Sequence, residues 1–139
     1  MKKQLLLLGC AAGLMIVPAM AQDKDHTPLG DQMESVNDAF KAFRRETDPV
    51  KGATQAREAH TALIKSLGEV PVTIKEMPEG PEKAKALVAY RKMMGNLYVT
   101  LCDVEEAFLN GKVDEVAKII EKIKELKKEG HKKFVKEEE

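Results

Sequence analysis

Leu87, Tyr90, Met94, Leu97, Leu101, Val104 and Phe108 follow one another at alternating spacings of 3 and 4 residues. An apolar seam of that period, sustained over three heptads, is the signature of a helix packed in a bundle. Pro81 near its start and Asn110-Gly111-Lys112 after it supply the expected boundaries. The same rule selects Leu29, Met33, Val36, Phe40 and Phe43 in a first helix that opens at Thr27-Pro28, with Thr27 as the capping residue and Pro28 in the first turn. Asp48-Pro49 opens a second helix by the same device. Its stripe, Ala53, Ala56, His60, Leu63 and Leu67, is weaker, and Gly52 softens its first turn. A last helix follows Lys112, with Val113, Val116, Ile120, Ile123, Leu126 and Phe134 on one side and lysines and glutamates on the other.

Residues 69–81, "EVPVTIKEMPEGP", form the one long irregular link, where three prolines exclude a continuous helix and discourage a strand. The other two connections are short, which makes sequential helices antiparallel neighbours. The fold class predicted is therefore all-α, an antiparallel up-down-up-down four-helix bundle. No glycine-rich phosphate loop, internal repeat or low-complexity segment interrupts it.

The chain opens differently. Two lysines, an apolar run and Ala19-Met20-Ala21 read as a secretory signal peptide over residues 1–21, with Gln22 as the mature N-terminus. Residues 22–139 then form the single folded domain, exported to the periplasm with no membrane span left after cleavage. Leu7 to Cys10 has the look of a lipoprotein box, a weaker reading because it leaves most of the apolar run behind the cleavage point. The mature 118 residues carry 21 Lys+Arg against 23 Asp+Glu, a net charge of −2. Lysines interleaved with glutamates, and no aromatic platforms between them, exclude nucleic acid as a partner. Cys102 alone remains after cleavage, so no internal disulfide forms, and a lone thiol on a helix reads as a small hydrophobe.

Candidate chemistry is sparse. His26 precedes the first helix, His60 occupies a stripe position where a hydrogen-bonded imidazole is the ordinary explanation, and His131 lies in "KKEGHKKF" near the end of the last helix. Glu105 and Glu106 are adjacent and point different ways on a helix, so no acid/base or nucleophile constellation marks an enzyme. Met33 and His131 are more informative together than singly. Each lies about five residues, or roughly 7 Å, from its helix end, and in the predicted bundle those ends share a pole on adjacent helices. A thioether opposed to a neutral imidazole is the ligand pair of a haem iron with both axial positions closed, an arrangement that favours electron transfer over substrate chemistry.

"DQMESVND" around Met33, "NGKVDEV" opening the last helix and "GHKKF" near the C-terminus together resemble the soluble periplasmic cytochrome b562 family, over residues 28–135. The resemblance implies one non-covalent haem b, since no C-x-x-C-H is present. It implies Met33 and His131 as the iron ligands. Phe40, Tyr90, Met94, Leu97 and Phe134 would line the pocket, and Lys127, one turn before His131 and inside the stripe, would pair with a propionate. Met94 stands where the family leads one to expect phenylalanine, and Lys127 where it leads one to expect arginine. The function implied is transfer of single electrons to redox partner proteins by a monomer that is not an enzyme. Two rival readings are a haem-free periplasmic bundle with a binding or envelope-stress role, and Cu(I) handling through Met33, Met77, Met93 and Met94, which no repeated methionine motif supports.

Overall fold

The computed structural model describes residues 27–136, and the signal peptide expected over 1–21, Cys10 and His26 lie outside the described residues. All regular structure among the described residues is helical: α1 (Pro28–Phe43), α2 (Pro49–Ser66), α3 (Val72–Lys75), α4 (Pro81–Leu109) and α5 (Val113–Phe134). The four long helices pack serially, α1 on α2, α2 on α4 and α4 on α5, an arrangement consistent with a four-helix bundle. No helix among the described residues is long and apolar enough to cross a membrane.

The helix ends follow from local chemistry. Thr27 Oγ1 accepts the Gly30 N–H at 3.0 Å, and Asp48 Oδ1 accepts the Lys51 N–H at 2.9 Å. Each cap is followed by a proline in the first turn, where a missing N–H costs nothing. At the other end of α4, Gly111 takes a left-handed backbone (φ 68°). The Lys112 N–H then reaches back to the Ala107 carbonyl at 2.8 Å, and the Gly111 N–H to that of Phe108 at 2.9 Å. Those two bonds satisfy carbonyls the helix leaves free and turn the chain into α5. Asp114 and Glu115 in the first turn of α5, and His131, Lys132 and Lys133 in its last, complement the helix dipole.

The link between α2 and α4 holds one short helix, α3, between Pro71 and Pro78. Ile74 of α3 is buried and anchors the link against the bundle. In α2 the buried face is made of Gly52, Ala53, Ala56, Ala59, Leu63 and Ser66. Leu67, expected in that stripe, is instead exposed, because α2 ends at Ser66 and the Ser66 hydroxyl turns back to bond the Leu63 carbonyl at 2.7 Å. Small residues let neighbouring helices come close. A Cβ added to Gly52 would overlap the ring of Phe108, so the glycine makes room for the aromatic as well as loosening a turn.

Candidate functional site

Burial is uneven along the bundle. In α1 the buried residues run from Val36 to Phe43, and in α5 from Val116 to Ile123. Beyond those limits Leu29 and Met33 of α1, and Leu126, Gly130 and Phe134 of α5, are only half-buried. The α1 and α5 backbones stay more than 8 Å apart over almost all their length, whereas closely packed helices approach to about 8–10 Å between axes. Burial thus thins along the α1–α5 edge toward the start of α1 and the end of α5, while Leu63, Ile74, Tyr90 and Met94 of the other helices stay buried.

Lys127 falls seven residues after Ile120 and four after Ile123, in register with the buried stripe, yet it is exposed, as is His131 one turn later. No part of α1 lies close enough to cover them. Instead Lys127 reaches across and its Nζ donates to Asn37 Oδ1 of α1 at 2.8 Å. Met33 lies one turn from Asn37 toward the start of α1. His131 lies one turn from Lys127 toward the end of α5.

The wall behind this gap is apolar. Tyr90 and Met94 are buried, Leu87 and Leu97 half-buried. The Tyr90 and Phe134 rings meet edge to face, with centroids 5.3 Å apart. Phe40 is engaged elsewhere, its ring edge-on to Phe43 at 5.4 Å with the Arg44 guanidinium 5.9 Å over it, and belongs to the closed part of the core. The link ties down the end of α5: Thr73 Oγ1 donates to the Phe134 carbonyl at 2.9 Å, and Lys136 pairs with Glu76 at 2.6 Å. Gly130 lies so near Met93 that a Cβ there would sit 3.0 Å from its sulfur. The Tyr90 hydroxyl is buried without a hydrogen-bond partner, and burial together with the nearby Glu69 carboxylate pushes its pKa up to about 12.

A second polar cluster joins α2 to α4, and nothing in the sequence announces it because Glu105 lies more than forty positions from Arg57 and His60. Arg57 Nε and Nη2 donate to Glu105 Oε1 at 2.8 and 2.5 Å, and the His60 Nε2 lies 2.6 Å from Glu105 Oε2. Burial raises the Glu105 pKa, but the hydrogen bonds and charges of His60 and Arg57 outweigh it and hold the carboxyl below its ordinary value. The His60 ring packs edge-on to Tyr98 at 5.6 Å. A hydrogen bond with half-buried Cys102 holds the Tyr98 hydroxyl above its usual pKa. His60 is thus the hydrogen-bonded, half-buried imidazole the sequence suggests, and Glu106, unlike Glu105, faces solvent. Two shallow concavities, about 360 Å³ at the α4–α5 turn and about 440 Å³ between α1 and α2, are lined by none of the expected site residues.

Four long helices around one shared hydrophobic core define a helical-bundle protein. The Cytochrome b562 family model matches residues 28–135, and the chain belongs to that family. No curated protein sequence matches the chain. Family membership indicates a haem-binding electron-carrier cytochrome and, with it, haem b.

The residues present fit that group. A porphyrin supplies four in-plane nitrogens to its iron and asks the protein for two axial donors at most. Among the described residues no three His, Cys, Asp or Glu side chains gather to hold a bare metal ion. A soft thioether, an imidazole and an apolar wall suit an iron porphyrin, whereas a free divalent cation would be poorly served by them.

Proposed function

We propose that the protein is a periplasmic b-type cytochrome that binds one non-covalent haem between α1 and α5 and carries single electrons. In this reading residues 1–21 direct export and are removed, and residues 22–139 form an antiparallel up-down-up-down bundle that works as a monomer. The observation that carries it is the bond between Lys127 and Asn37. With α1 and α5 running in opposite directions, Met33 and His131 stand one turn beyond that bond on the same side of it, each about 6 Å along its helix. Met33 is half-buried and His131 exposed, at the edge where α1 and α5 are least closely packed.

When bound, haem supplies a reversible one-electron change at iron. The protein's part is to control access and environment. Met33 would offer its thioether and His131 its imidazole to the iron, and a Met/His pair would favour electron transfer over oxygen or substrate chemistry. Tyr90, Met94, Leu97 and Phe134 keep water from the ring, and Phe40 closes the floor of the pocket. Lys127 turns from Asn37 toward a propionate at the mouth.

The test is reconstitution of the purified protein with haem, followed by visible spectroscopy. Stoichiometric binding with sharp low-spin bands in the reduced state is expected, and Met33→Ala or His131→Ala should each convert the spectrum to high spin. Failure of the wild-type chain to take up one haem sinks the proposal and leaves a haem-free bundle.

A further inference from the structure

We propose that the Tyr90 hydroxyl is a hydrogen-bond donor held for a peripheral carboxylate of the bound porphyrin, and that it helps decide which porphyrin the site accepts. This inference rests on the haem-binding reading above.

Tyr90 is 5% exposed, and its hydroxyl oxygen is buried with no hydrogen-bond partner among the described residues. Buried donors are nearly always paired, and one left unpaired opposes folding. Packing alone does not account for the oxygen. The ring already makes its edge-to-face contact with Phe134, and phenylalanine would keep that contact without burying a polar atom. The hydroxyl therefore weakens the haem-free protein, and an acceptor arriving with a ligand would remove that cost.

The chemistry of the ligand narrows what the acceptor is. In an iron protoporphyrin the ring nitrogens are engaged by the metal and most peripheral substituents are hydrocarbon. The carboxylates are its hydrogen-bond acceptors. A charged acceptor also makes the stronger bond, about twice that of a neutral one. Ligation of iron by the phenol has no place in this reading, since Met33 and His131 take both positions the protein supplies. Burial and the Glu69 charge keep Tyr90 a protonated donor throughout the physiological range. Phe134, its ring partner, lies three residues after His131 and is only half-buried, so this aromatic pair stands where burial thins along the α1–α5 edge.

The experiment compares wild type with Tyr90→Phe in three measurements. Wild type is first titrated with haem; absence of binding refutes the haem reading itself and is seen before any variant is made. Thermal unfolding of the haem-free proteins comes second: Tyr90→Phe should unfold a few degrees higher, since it removes an unsatisfied buried group. Affinities for haem and for haem dimethyl ester come third. Tyr90→Phe should bind haem roughly tenfold more weakly, and this difference should shrink to about twofold with the ester, whose charge is gone. Equal loss with both ligands, or no loss with haem, overturns the proposal. So does a haem-free Tyr90→Phe that is less stable than wild type and is matched by Glu69→Gln, because Glu69 would then already be the acceptor.

Discussion

Lys127 of α5 donates to Asn37 of α1 at 2.8 Å, a bond that spans two helices whose backbones do not pack. Both side chains are at the surface, so the bond contributes little to the haem-free fold. Lys127→Ala should lower stability by about 1 kcal/mol at most, seen as a shift of no more than a few degrees in a calorimetric scan of the haem-free protein. A large loss would mean that the α1–α5 edge is held shut by this contact.

Replacing Met33 by leucine separates packing from ligation. The two side chains have similar volume, so Met33→Leu should cost less than about 1.5 kcal/mol in the haem-free chain. The same substitution should abolish the low-spin spectrum of the haem-loaded protein, because it removes the thioether. Retention of that spectrum would assign the axial position to another donor.

Gly52→Ala should destabilise, although alanine is the better helix former by about 1 kcal/mol. The new methyl would collide with the Phe108 ring, which is itself fully buried, and overpacking of this kind costs about 1–3 kcal/mol. Urea denaturation decides the sign. A stabilised variant would show that Phe108 can swing aside.

Leucines one turn apart on α4 should respond unequally. Leu101 is fully buried, whereas Leu97 is only half-buried. Leu101→Ala should cost about 2–5 kcal/mol, and Leu97→Ala clearly less, in haem-free protein compared by denaturant midpoint. Equal costs would contradict the uneven core.

The Glu105 carboxyl, held by Arg57 and His60, has a folded-state pKa below its ordinary value near 4.5. The stabilisation this implies is complete above that ordinary value and disappears as pH falls through the depressed one. Thermal midpoints of wild type and Glu105→Gln measured from neutral to acid pH should therefore converge at the acid end. A constant gap would mean that the carboxylate acts only through packing or uncharged hydrogen bonds.

Helix placement was legible because each boundary is a local event. Thr27-Pro28, Asp48-Pro49 and Asn110-Gly111 specify their caps within a few residues. The inward faces of α1 and α4 were readable too, since a seam of large side chains at 3–4 spacing has one way to be buried. Periodicity places Lys127 in the α5 stripe but does not say whether a neighbour covers it, and the structure leaves it exposed. Leu67 was misjudged because a one-residue difference in where α2 stops turns its side chain outward. The Arg57–Glu105–His60 group and the hydroxyl of Tyr90 depend on tertiary approach alone, for which a single sequence carries no local sign. Met33 and His131 could be paired from helix lengths, while the gap between their helices could not.

Met33 and His131 are not among the buried residues of the bundle. Phe43, Val104, Phe108 and Val116 lie together among the buried residues where α1 ends and α5 begins, away from Met33 and His131. The most deeply packed side chains and the proposed iron ligands are thus different residues, so substitutions can weaken the fold and the site separately.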